Sequence, residues 1–262
     1  MAARPRNCWG RSAAPLSVWL RIADREGLLL AAPDGSKGKD GKRGWNDCRA
    51  DAANNPPTDD VGLVAAIIAK AVAENDADPA RVYAMGMSNG GMMMFRLAAE
   101  LAPKLAGFAA VSASMAARIS CPAPRLPVSA LIVSGTADPL VPYAGGEVHF
   151  FSSGSRGSVV GVESAAATWR QLAGLPTEPA RVETLPHRDA KDPTRATRSL
   201  WGADAQRVQV QLLRIDQAGH VEPSGSQRIG RIYAAIVGPQ NGDVEAAEEA
   251  WAFFKNKRAG SQ

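Results

Sequence analysis

Long apolar runs are missing from this 262-residue chain; none approaches the ~18 residues that span a bilayer, so no membrane partner is expected. The first eleven residues are basic, but no apolar core follows them, so no secretory signal is expected and the compartment stays unassigned. Cysteine is scarce. Cys8, Cys48 and Cys121 lie far apart, which excludes zinc-type and redox-type spacing. The odd count leaves at least one free thiol, and one disulfide is possible with its pairing undetermined. One-sided charge is also missing: 30 Lys and Arg against 26 Asp and Glu leave a net +4, with the basic residues spread out. The densest cluster, Lys37, Lys39, Lys42 and Arg43, has no aromatic neighbour before Trp45. It reads as a solvated loop rather than a nucleic-acid surface. Internal repeats and low-complexity tails are absent.

What remains is an ordinary globular composition, 45% hydrophobic and 21% charged. The length suits one domain over 1–262, with an atypical segment at 1–20 and an irregular insert at 176–204. Four runs bounded by turn formers predict strands: Leu28–Ala32, Val82–Met85, Val128–Val133 and Val208–Ile215. Helical spacing predicts helices over Thr58–Asn75, Gly90–Leu101, Ser164–Leu172 and Glu245–Lys255. Thr58, Asp59 and Asp60 can cap the first of these. The alternation of β and α units predicts an α/β fold, a mostly parallel sheet with helices on both faces.

Gly86–Met87–Ser88–Asn89–Gly90 matches G-x-S-x-G between a predicted strand and a predicted helix. In that context the motif is a nucleophile elbow, a strained turn that exposes the Ser88 hydroxyl. So tight a turn is expected to require bare backbone at Gly86 and Gly90. The helix N-terminus favours developing negative charge, and the Asn89 N–H is the expected oxyanion-hole donor. A serine hydroxyl needs a base. Among His149, His187 and His220, only His220 lies just past the last strand, at the carboxyl end of the sheet. His149 reads as packing or loop, and His187 as exposed. Asp138, in a turn after the third strand, completes the order Ser, acid, His. Trp45, Asn46 and Met87 are the expected substrate contacts. Met92, Met93 and Met94 read as core, with an acyl pocket as the other option. This chemistry needs no metal and no organic cofactor.

Several segments carry a family resemblance: Gly44–Trp45–Asn46–Asp47, the run from Asn55 to Gly62, Asp78 to Tyr83, the elbow through Met93, and Gly135–Thr136–Ala137–Asp138. Together they resemble the polyhydroxybutyrate depolymerase and feruloyl esterase family of the α/β-hydrolase superfamily. The segment Gly219–His220–Val221–Glu222–Pro223–Ser224 looks like its polyhydroxybutyrate depolymerase-like subgroup. The resemblance runs from about Arg21 to Phe254. It implies an α/β-hydrolase fold and a serine esterase acting on small or polymeric substrates: short-chain hydroxyalkanoate, feruloyl or acetyl esters. Family members carry an upstream His-Gly loop that donates a second oxyanion N–H. No His-Gly precedes Ser88, and Asn7–Ala14 stands where that loop belongs. The expectation is a sheet lacking its first strands, with an exposed edge open to self-association. The alternative from another class is a catalytically impaired homologue acting as a binding module.

Overall fold

The computed structural model describes residues 14–149 and 155–260. Helix α1 spans Ala14–Glu26, and β1 (Ser36–Lys37) pairs with β2 (Arg43–Gly44) as a small ribbon. Then follow α2 (Asp60–Asn75), β3 (Tyr83–Met87), α3 (Asn89–Glu100), β4 (Gly107–Val111) and β5 (Ser129–Gly135). The antiparallel pair β6 (Gly146–His149) and β7 (Ser155–Val159) leads into α4 (Val162–Leu172). The chain ends with β8 (Arg181–Thr184), β9 (Arg195–Trp201), β10 (Val210–Asp216), α5 (Arg231–Val237) and α6 (Ala246–Phe254).

The main sheet has the order β3-β4-β5-β10-β9-β8. Its first four strands are parallel; β9 and β8 add antiparallel. Strand alternation sends side chains to two cores. Phe108, Ala110, Ile132 and Leu212 pack with Met92, Met93 and Trp169 of α3 and α4. Ala109, Val111, Leu131, Val133 and Leu213 pack with Val18 and Ile22 of α1 and with Trp251 and Phe254 of α6. Both faces of the parallel strands are covered, which is why β4 and β5 are buried along their whole length.

Three of the four expected strands correspond to β3, β5 and β10. Leu28–Ala32 is not a strand. Leu29 is 57% exposed, and an apolar run without a ladder partner has no reason to be one. Conversely, β4 went unread because Gly107–Phe108–Ala109–Ala110 is poor in β-branched residues; burial between two strands imposes the conformation. The insert at 176–204 is less irregular than expected, since it contains β8 and β9. Those strands carry charge on one face: Arg198 bridges Glu183 of β8 and Glu249 of α6. Helices α1 and α5 were not expected either; α1 contributes the fully buried Ile22.

Asp59 caps α2, its side chain accepting the Gly62 N–H at 2.8 Å. Its neighbour Asp60 is buried and accepts instead from the Asn46 N–H and the Thr58 hydroxyl. Cys48 and Cys121 form a disulfide; Cys8 and nearly all of Asn7–Ala14 lie outside the described residues. Among the described residues, no strand pairs with the far side of β3, so it stands at an edge of the main sheet.

Candidate active site

Ser88 closes β3 and precedes α3, with φ 56° and ψ −125°. That backbone region is costly for a residue with a side chain, by roughly 1–3 kcal/mol. The surroundings hold it there: the Ser88 N–H donates to Val111 O at 2.9 Å, and Ser88 O accepts the Met92 N–H at 2.9 Å. A Cβ on Gly86 would stand 2.4 Å from Gly90 O, and one on Gly91 would stand 2.6 Å from the Ala113 Cβ. Gly90 differs from the expectation. A Cβ there would meet nothing nearer than Trp45 Nε1 at 3.8 Å, so the turn itself leaves room.

Asp138 and His220 are 82 residues apart yet hydrogen-bonded, Nδ1 to Oδ2 at 2.8 Å, and both are buried. The sheet explains this. β5 and β10 are parallel neighbours, so the loops leaving their carboxyl ends share one rim. Tight backbone contacts close the gap: the Ala137 N–H donates to Ala218 O, the His220 N–H to Val237 O, and the Gly219 N–H to Pro239 O. A Cβ on Gly135 would fall 2.2 Å from Ala218 O, and one on Gly219 would fall 1.9 Å from Val237 O. The other Asp138 oxygen accepts the N–H groups of Leu140 and Val141, both at 2.8 Å, which fixes the carboxylate. With Nδ1 engaged by Asp138, Nε2 is the ring nitrogen left for another partner. No hydrogen bond joins Ser88 Oγ to His220 in this structure.

Asn89 braces the elbow through its side chain. Its Oδ1 accepts the Trp45 N–H at 2.6 Å, and its Nδ2 donates to Trp45 O at 3.0 Å and Asp47 Oδ2 at 2.5 Å. Asp47 is fully buried and also takes the guanidinium of Arg49 and the amide of Asn55. The Gly44–Asp47 motif therefore works as a polar strut, anchored on the buried Asp47, beside Ser88. The sequence marked it only by family likeness, because four partners spread from Asp47 to Asn89 leave no local spacing to read.

A cavity of about 1120 Å³ opens beside the elbow, lined by Trp45, Met87, Ser88, Leu140, Val148 and Glu222 among others. Of the expected substrate contacts, Trp45 and Met87 face it. Asn46 does not; its backbone and amide groups are taken by Asp60, Thr58 and Arg96. Met92, Met93 and Met94 are buried in the core and also border the cavity. His187, expected to be exposed, is half-buried and pairs with Asp243 at 2.9 Å. His149 is exposed on β6 and lines the cavity. Glu222 also escaped the sequence reading. It is buried, and burial together with the nearby Glu245 pushes its carboxyl up to about 8. No helix among the described residues is long and apolar enough to cross a membrane.

No family model matches the chain. It is 35% identical over 124 residues, 47% of its length, to "Putative esterase NocK" of Nocardia uniformis subsp. tsuyamanensis. It is 28% identical over 211 residues, 78% of its length, to feruloyl esterase B of Piromyces equi. It is 26% identical over 208 residues, 77% of its length, to the bifunctional acetylxylan esterase/xylanase XynS20E of Neocallimastix patriciarum. The matches cover 35%, 36% and 25% of those proteins, so the chain spans about a third or less of the curated relatives it resembles. Among solved structures, the acetyl xylan esterase from Aspergillus awamori superposes with a TM-score of 0.52 at 11% identity, over 91% of this chain and 81% of that one. The chain is thus similar in sequence to esterases of the feruloyl and acetylxylan kind, and it has the α/β fold of an acetyl xylan esterase, a mostly parallel sheet flanked by helices.

Proposed function

We propose that this chain is a serine carboxylic ester hydrolase with Ser88 as nucleophile, His220 as base, Asp138 as the group that orients His220, and the Asn89 N–H as an oxyanion donor. The observation that carries the reading is the buried Asp138–His220 hydrogen bond on the same sheet rim as the strained Ser88. Ser88 Oγ attacks the ester carbonyl while its proton passes to His220 Nε2. The imidazolium, stabilised by Asp138, returns that proton to the leaving alcohol, and water then releases the acid from the acyl-enzyme. The cleft suits small or polymeric esters: short-chain hydroxyalkanoate, feruloyl or acetyl esters.

Hydrolysis of p-nitrophenyl acetate and butyrate, measured beside Ser88→Ala, tests the reading. Activity lost in the variant supports it; equal background in both refutes it. The missing Ser88–His220 hydrogen bond favours a second reading, a homologue that binds esters without turning them over. Fluorophosphonate labelling separates the two, because only an assembled site labels at Ser88. The edge of β3, unpaired among the described residues, supports self-association, and a monodisperse monomer in sedimentation would count against it.

A further inference from the structure

Glu222 is 6% exposed, and its carboxyl makes no hydrogen bond to any described residue. Its carboxyl oxygens are not among the polar atoms sealed off without a partner. It is not sealed in the core: it borders the cavity that Ser88 borders, among Trp45, Met87, Leu140 and Val148. Its segment is anchored on both sides. The Glu222 carbonyl accepts the Gln240 amide at 2.9 Å, and the Ser224 N–H donates to Asn241 O at 3.0 Å. Glu245, the acid whose charge acts on Glu222, accepts the hydroxyls of Ser224 and Ser226 instead.

We propose that Glu222 is a specificity residue that donates a hydrogen bond to a second oxygen on the alcohol part of the ester. This rests on the serine esterase reading. The side of the substrate follows from the chemistry. His220 must deliver its proton to the leaving alcohol, so that alcohol lies against the His220 loop, and Glu222 stands two residues further along the same loop. A neutral carboxyl has an O–H to give, and burial beside Glu245 keeps it neutral near pH 7. Beside Trp45, Met87, Leu140 and Val148 on the cavity wall, an alcohol with a hydroxyl, ether or carbonyl oxygen satisfies that donor, whereas a plain alkyl alcohol offers it nothing. The favoured substrates are therefore esters whose alcohol carries a second oxygen near the ester bond.

The test compares 2-methoxyethyl acetate with the near-isosteric butyl acetate, each rate divided by its hydroxide-catalysed rate. Wild type should prefer the ether ester by about tenfold, equal to about 1.4 kcal/mol. Glu222→Leu should lose that preference, while Glu222→Gln, which keeps a donor, should stay within about threefold of wild type. An unchanged ratio in folded Glu222→Leu overturns the proposal. Should that variant not fold, equal rates for the two esters in wild type overturn it. Failure of the underlying reading shows up separately, as p-nitrophenyl acetate hydrolysis that Ser88→Ala does not abolish.

Discussion

Alanine at Gly86 and alanine at Gly90 should have opposite consequences, although both flank Ser88 in one short motif. At Gly86 the new methyl would sit 2.4 Å from Gly90 O, 2.5 Å from Gly90 C and 3.0 Å from Gly91 N. All three are backbone atoms at the start of α3, so relief requires the elbow to open by about 1 Å to reach ordinary contact. Overpacking of this kind costs roughly 1–3 kcal/mol. For a chain of this size that lowers Tm by about 2–10 °C. The same displacement moves Ser88 Oγ off line, and a 1 Å misplacement costs about 10²-fold in rate. At Gly90 the new methyl meets Trp45 at 3.8 Å and replaces glycine inside a helix. That exchange gains up to about 1 kcal/mol. Thermal melts and fluorophosphonate labelling rates should show Gly86→Ala less stable and about a hundredfold slower, with Gly90→Ala at least as stable as wild type. Wild-type labelling by Gly86→Ala, or equal damage in both variants, would refute the argument.

Glu222 should also leave a mark on stability. Its folded carboxyl holds a proton up to about pH 8, against 4.5 for the ordinary group, so the folded state binds more protons in that window. The contribution is complete below pH 4.5 and is lost as pH rises through 8, with an upper bound of about 5 kcal/mol. Wild type should therefore weaken relative to Glu222→Gln between pH 5 and pH 9; parallel denaturation midpoints at the two pH values would contradict this. Asn89→Ala should cost about 2–4 kcal/mol in urea melts, because it leaves the buried Asp47 short of a donor and frees the Trp45 backbone. A change under 1 kcal/mol would show that the strut is not structural. Reducing Cys48–Cys121, which closes a loop of 73 residues, should cost about 4 kcal/mol by loop entropy. Identical melts with and without reductant would count against that bridge.

The residues of the candidate site were easier to single out in the sequence than the sheet around them. G-x-S-x-G can be read because one local turn demands its residue types in a fixed order. Asp138 and His220 could be placed because each follows an apolar strand closely. β4, by contrast, is a strand only because β3 and β5 enclose it, and Leu28–Ala32 fails to be one because no described residue pairs with it. The charged faces of β8 and β9 hid them among turn-forming residues, where Arg198 and its two glutamates make sense only across three elements.

The sequence by itself determined the kind of fold, an α/β alternation, and the strand–turn–helix that presents Ser88, because propensity, periodicity and turn chemistry act over a few residues. Only the tertiary structure decided that β5 and β10 are neighbours, which brings Asp138 against His220; that Asp47, Arg49, Asn55 and Asn89 form one network; and that Glu222 lines the cleft without a partner among the described residues. Those outcomes depend on burial and strand order, and both are properties of the whole packed chain.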